Sequence, residues 1–175
     1  MYSTESIKTG MGSKSFLFSF LLLLGFNSIA QQNLRRAFQP PSVVNKIPYG
    51  ANEAAGHYAQ TKDAKIYYEV YGKGQPIVLL HGSILGSTIE MAAFIDSLKT
   101  NFQVIAISTR GHGKSEIGSE PITYAQKAND VMAAIDAVTK DSVVVLGFSE
   151  GAYTGYKAAG IYPKRVKKLI AIGAG

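Results

Sequence analysis

The chain has 175 residues, 46% of them apolar and 17% charged, a balance that supports a packed core and argues against disorder. It contains no cysteine, which excludes disulfides and thiolate metal sites. The formal net charge is +6, but the densest basic run, Lys164-Arg165-Val166-Lys167-Lys168, lacks the aromatic interleaving of a nucleic-acid surface and reads as a solvated turn before a strand.

Residues 1–30 have the order of a secretory signal peptide. Lys8 and Lys14 lead into an apolar run at 16–24, and Ser28-Ile29-Ala30 offers small residues for cleavage after Ala30. Met11 supplies an alternative start that keeps the same signal. The competing reading is a membrane anchor, which needs about 20 apolar residues; this run is broken at Gly25 and Asn27. The expectation is a secreted or periplasmic protein with no stable membrane insertion after cleavage. Residues 31–55, with Pro40-Pro41 and Pro48, read as an extended lead.

Strand and helix signals then alternate. A weak strand at 56–60 and a stronger one at 65–71 flank the turn-like Lys62-Asp63 and predict an antiparallel hairpin. Gly72-Lys73-Gly74 breaks the chain before a buried-type strand at 77–80. Ser87 and Glu90 fit a capping box that opens a helix, with Met91, Ile95 and Leu98 on its apolar face. A strand at 102–107 leads into a polar, glycine-rich loop at 108–119. Thr123 and Gln126 give a second capping box, followed by the stripe Tyr124, Ala128, Val131, Ile135 and Val138. A β-branched strand at 142–146, a helix rich in small residues and a last strand at 166–172 complete the pattern. Apolar strands alternating with helices imply an α/β fold, a mostly parallel doubly wound sheet covered on both faces with a leading antiparallel hairpin at one edge. Ligands bind such sheets at the carboxyl ends of the strands, which singles out the loops at 83–86, 108–115 and 147–151.

Gly147-Phe148-Ser149-Glu150-Gly151 is a G-x-S-x-G motif set between the last-but-one strand and a helix, the context that gives the motif its mechanical meaning. A sharp turn there would strain Ser149 and thrust its hydroxyl outward, with glycines on either side because strand and helix approach too closely for a Cβ. The helix N-terminus favours developing negative charge, and the Glu150 N–H would face the oxyanion of a tetrahedral intermediate. The competing reading is a serine in an ordinary strand-to-helix turn. His81-Gly82-Ser83 ends the strand at 77–80; a glycine there lets the chain turn so that the Ser83 N–H becomes a second oxyanion donor. His81 itself is expected to pack inward as a structural residue, and His57 has no supporting neighbours.

Three motifs stand in order: Val78-Leu79-Leu80-His81-Gly82, Arg110-Gly111-His112-Gly113-Lys114-Ser115 and Gly147-Phe148-Ser149-Glu150-Gly151. Together, over residues 56–175, they resemble the α/β-hydrolase fold family in its esterase, haloperoxidase and carbon–carbon hydrolase branch. The resemblance implies Ser149 as nucleophile, backbone N–H groups of Ser83 and Glu150 as the oxyanion hole, and His81, Gly82, Gly147 and Gly151 as supporting residues. It implies a loop-shaping role for His112, a small-molecule substrate, and no cofactor or metal. Family members often carry an acidic residue just before Arg110, where this chain has Ser108-Thr109.

In this fold the catalytic acid and His follow the serine in the chain. After Ser149 the sequence has no His, no Asp, and Glu150 as its one acidic residue. The expectation is therefore the N-terminal part of a hydrolase domain whose acid and base lie elsewhere, with an inactive truncated product as the alternative. As a sheet edge, the strand at 166–172 would be left unpaired. Two further readings compete. The segment at 108–115 nearly matches the phosphate-cradling G-x-x-x-x-G-K-[ST] loop, but Ser108 replaces its first glycine, and Gly118 and Pro121 follow where a helix should open. A non-catalytic binding protein on the same fold would need neither acid nor base.

Overall fold

A computed structural model describes residues 46–174; the expected signal peptide and residues 31–45 of the lead lie outside them. Six strands, β1 (Gly56–Gln60), β2 (Lys65–Tyr71), β3 (Gln75–Leu80), β4 (Phe102–Ile107), β5 (Val143–Phe148) and β6 (Val166–Ile172), form one sheet in the order β1-β2-β4-β3-β5-β6. β1 and β2 make the expected antiparallel hairpin, and β2 runs antiparallel to β4. β3, β4, β5 and β6 are mutually parallel; β3, β4 and β5 carry the apolar runs of strands buried on both faces, whereas β6, at the edge, exposes Lys167, Lys168 and Ile170.

Among the described residues, three α-helices cover the sheet: α1 (Ala92–Leu98), α2 (Tyr124–Val138) and α3 (Glu150–Ile161). Val78, Leu80, Ile105, Ile107, Val143 and Val145 point to the face that α2 and α3 cover with Ala128, Val131, Ile135 and Ala158. Their strand neighbours Ile77, Leu79, Val104, Ala106 and Leu146 point to the other face, against Met91, Ala92 and Ile95. On the α2 stripe, Ala128, Val131 and Ile135 are buried, whereas Tyr124 is 45% exposed.

Several boundaries differ from the sequence expectation. β5 continues to Phe148 because Gly147 and Phe148 still pair with Ala171 and Ile172 of β6. The described part of the expected lead is joined to the sheet. Tyr49 is 3% exposed within the α1-side core. The buried Glu69 of β2 accepts bonds from the Gly50 and Asn52 amides at 2.9 and 2.8 Å. The first capping box is only half formed. Ser87 Oγ accepts from Ile89 N at 3.5 Å, over a short 3-10 turn at Thr88–Met91 that precedes α1. The Glu90 carboxylate leaves the cap and accepts instead from Gly82 N at 2.5 Å. Thr123 caps α2 through Gln126 N at 3.1 Å, but the Gln126 amide turns to Asp130.

Two buried polar groups hold the strand-end loops. Arg110, 1% exposed, forks onto Asp130 of α2 through Nε and Nη2 at 2.7 and 2.9 Å. Its Nη1 and Nη2 also reach both oxygens of Asp63, in the β1–β2 turn, at 3.0 and 2.9 Å. One guanidinium thus ties hairpin, loop and helix, a planar geometry that Lys lacks. His81, fully buried, joins the ends of β3 and β4: its Nδ1 lies 2.6 Å from Gly82 O, and its Nε2 accepts from Thr109 N at 3.1 Å. The Thr109 amide must donate, so Nδ1 carries the ring proton.

Replacing Arg110 by Met would leave two carboxylates without their shared cation; removing one partner of a buried ion pair costs about 3–5 kcal/mol. Urea unfolding should show a loss of that size, and Arg110→Lys should recover only part of it. Burial lowers the His81 pKa to about 4, and His112 adds to the effect against the Gly82 hydrogen bond. Because the folded value lies below the unfolded one, stability is full above about pH 6.5 and falls as pH drops toward 4, by about 3 kcal/mol in total. Thermal unfolding followed across that window should show the decline, and His81→Asn should flatten it.

Candidate active site

The turn after β5 is dictated by crowding of backbone on backbone. A Cβ on Gly147 would strike the Gly151 carbonyl, and one on Gly151 would lie 2.5 and 2.6 Å from the Leu80 and His81 carbonyl oxygens. The start of α3 therefore sits against the ends of both β5 and β3, and a side chain at either position would force them apart. Between the two glycines Ser149 adopts φ 50°, ψ −116°, the one non-glycine positive φ among the described residues. A serine in that region carries about 1–3 kcal/mol of strain. Ser149 is the N-cap of α3, yet its side chain makes no capping bond, and the residue is half-buried.

The amides around it fall into two sets. Ser149 N donates to Ile172 O of β6 at 2.8 Å, and Gly82 N is spent on Glu90. Glu150, by contrast, opens α3, where N–H groups have no intrahelical acceptor. Ser83 is exposed in the turn beyond Gly82. The two turns are neighbours, since a Cβ on Gly82 would lie 3.1 Å from the Phe148 ring. Ser83, Glu150 and Ser149 are thus gathered at the carboxyl end of the sheet. Glu90 was not singled out in the sequence as a site residue; the Ser87 capping pattern accounted for it fully and concealed its reach to Gly82.

The remaining histidines lie elsewhere or are engaged. His57 is exposed on β1 beside the Tyr68 ring. His112 packs edge-on against His81 with ring centroids 5.3 Å apart, and its Nδ1 lies 3.1 Å from Thr109 Oγ1. The loop at 108–115 does not form a phosphate cradle. Ser115 Oγ donates to Ser108 O and accepts from Tyr67 N, Lys114 lies over the Tyr67 ring, and the next helix begins only at Tyr124. Ser108, in the pair that precedes Arg110, has a buried hydroxyl without a hydrogen-bond partner.

Side chains from α2 and from its own helix surround the Glu150 carboxylate. Lys127 of α2 lies 2.8 Å from Glu150 Oε1, and Thr154 donates to the same oxygen at 3.2 Å. The pair borders a cavity of about 270 Å³ lined by Ile122, Thr123, Tyr124, Lys127 and Glu150. No sequence pattern pairs Lys127 with Glu150, because contact across two helices leaves no spacing signature.

The family profile of the alpha/beta hydrolase fold matches residues 75–174. The AB hydrolase superfamily protein YisY of Bacillus subtilis is 32% identical over 97 residues, which cover 55% of this chain and 36% of that protein. Serine hydrolase BPHL of Mus musculus is 30% identical, covering 62% of this chain and 39% of its own length. Among solved structures, a marine microorganism esterase shares 32% identity with a TM-score of 0.57, over 61% of this chain and 40% of that one. The chain spans about two fifths of the length of the relatives it matches. With its mixed six-stranded sheet and a family match over more than half its length, the chain belongs to the α/β-hydrolase fold family.

Proposed function

We propose that the full-length protein is a serine hydrolase that cleaves an ester or similar acyl bond through an acyl-enzyme, with Ser149 as nucleophile. The observation that carries this reading is the strained backbone of Ser149 between two glycines that admit no side chain. Packing alone gives no reason to hold a serine there, whereas a nucleophile aimed outward at a helix N-terminus does. Ser149 Oγ attacks the acyl carbon, the carbonyl oxygen takes the developing charge, and the N–H groups of Ser83 and Glu150 donate to it. Collapse of the tetrahedral species expels the alcohol or amine, and water then releases the acyl group.

Ser149 needs a base, and the base needs an orienting acid. His81 is committed through both ring nitrogens to Gly82 and Thr109, so this reading takes the base and acid from parts of the full-length chain outside the described residues. Some relatives are named for acyl chemistry, which fits this reading: besides the esterase, 3-oxoadipate enol-lactonase 2 of Acinetobacter baylyi is 28% identical. The substrate is a small molecule, and no nucleic acid enters the scheme. Residues 1–30 would direct export, with cleavage after Ala30.

Two measurements test these readings. A fluorophosphonate probe should label the full-length protein on Ser149, and Ser149→Ala should abolish labelling while leaving the fold intact by circular dichroism. A folded full-length protein that resists the probe would favour a non-catalytic role for the same fold. For export, N-terminal sequencing of protein recovered from its source should begin at Gln31; a retained leader would sink the signal-peptide assignment.

A further inference from the structure

The ion pair between α2 and the first residue of α3 is buried at both ends: the Lys127 and Glu150 side chains are 9% and 11% exposed. Glu150 Oε1 accepts from Lys127 and Thr154, whereas Oε2 is buried without a partner. Removing two charges from water costs about as much as their pairing returns, so stability gives little reason for the pair. Its position gives a better one. Glu150 directly follows Ser149, and a lone carboxylate beside a developing oxyanion would raise the energy of the state the site must stabilise.

We infer that Lys127 is a positioning residue for the Ser149 site, which neutralises Glu150 and holds its carboxylate toward α2. The inference rests on the serine-hydrolase reading and assigns the site a charge-compensating partner on a different helix. The groups that face Glu150 are Lys127 and Tyr124 from α2, Thr154 from α3 itself, and His81 at the end of β3. The charges of Glu150 and Lys127 act on His81 with opposite sign, so both are felt at the strand ends where Ser83 turns. The cavity beside the pair leaves room for a neutral side chain at position 127.

Without Lys127, the Glu150 carboxylate keeps the Thr154 hydrogen bond but loses its cation, and burial without a counter-charge favours the neutral form of a carboxyl group. At low pH it is then neutral and harmless; as pH rises it ionises beside the oxyanion. The experiment is the rate of fluorophosphonate labelling of the full-length protein, read as the ratio of variant to wild type from about pH 5 to pH 9. For Lys127→Met the ratio should fall about tenfold as pH rises, a change that corresponds to a modest electrostatic penalty on the transition state. In Lys127→Met/Glu150→Gln the pH-dependent fall should vanish, and Lys127→Arg should show none. Lys127→Gln, which keeps a hydrogen bond to Glu150, gives the same reading should the Met variant not fold.

A ratio that does not change with pH, or a fall that persists in the double variant, would overturn the inference while Ser149 labelling of the wild type still stood. Failure of the wild type to label would instead overturn the serine-hydrolase reading and the inference with it.

Discussion

Around Ser149, peptide backbone meets peptide backbone at distances that admit no side chain, and the arrangement of the site follows from that contact. Because Gly151 lies against the Leu80 and His81 carbonyls, α3 must begin at the shared end of β3 and β5. The turn that delivers the chain from β5 into α3 then has room for only one sharp conformation, and Ser149 is the residue that takes it. The strain is borne by the rest of the sheet: the buried parallel strands β3, β4 and β5 resist the small shift that would relax one residue. A site built this way needs no flexible element to hold the serine outward.

The same strand ends are fixed by polar groups that the apolar core alone would not require. His81 ties the β3 turn to the β4 turn, Glu90 takes the amide of Gly82, and Arg110 draws the β1–β2 turn and α2 onto the loop after β4. Each bond is buried or partly buried and engages a charged or ring group, so each is costly to leave unmade. Together they locate the turn at 82–86 relative to the strained serine. Gly86 packs so tightly on His112 that a Cβ there would come within 2.7 Å of the ring, which extends the fixed framework to the second loop.

The layout of the fold was legible in the sequence because burial on both faces leaves continuous apolar strands, and glycine and proline mark their ends. The strained turn at Ser149 was legible for the same kind of reason: a local steric rule, two glycines around a serine between strand and helix, writes itself into five consecutive residues. What the sequence hid was contact at a distance. Asp63 and Asp130 lie 47 and 20 residues from Arg110, and neither has a spacing that announces a shared guanidinium. Glu90 matched a capping box perfectly well, yet a nearer and better donor, the Gly82 amide, took its carboxylate. Tyr49 and Glu69 likewise show that a proline-marked segment without periodicity can still be bound to the sheet, through a core tyrosine and hydrogen bonds to one buried carboxylate.

The charges at this end of the sheet share a pattern. His81 is kept neutral by burial, Glu90 is satisfied by an amide, and the Glu150 carboxylate is matched by Lys127. Near the serine, then, the ionisable side chains are neutral, hydrogen-bonded or compensated, and the uncompensated positive ends of dipoles belong to backbone amides at the head of α3. Fixed dipoles of this kind do not reorganise when charge appears, which is why they stabilise a transient anion better than mobile water does. A site meant to hold a permanent anion would gain from leaving Lys127 free; spending it on Glu150 suits chemistry in which negative charge arises only for the moment of bond change.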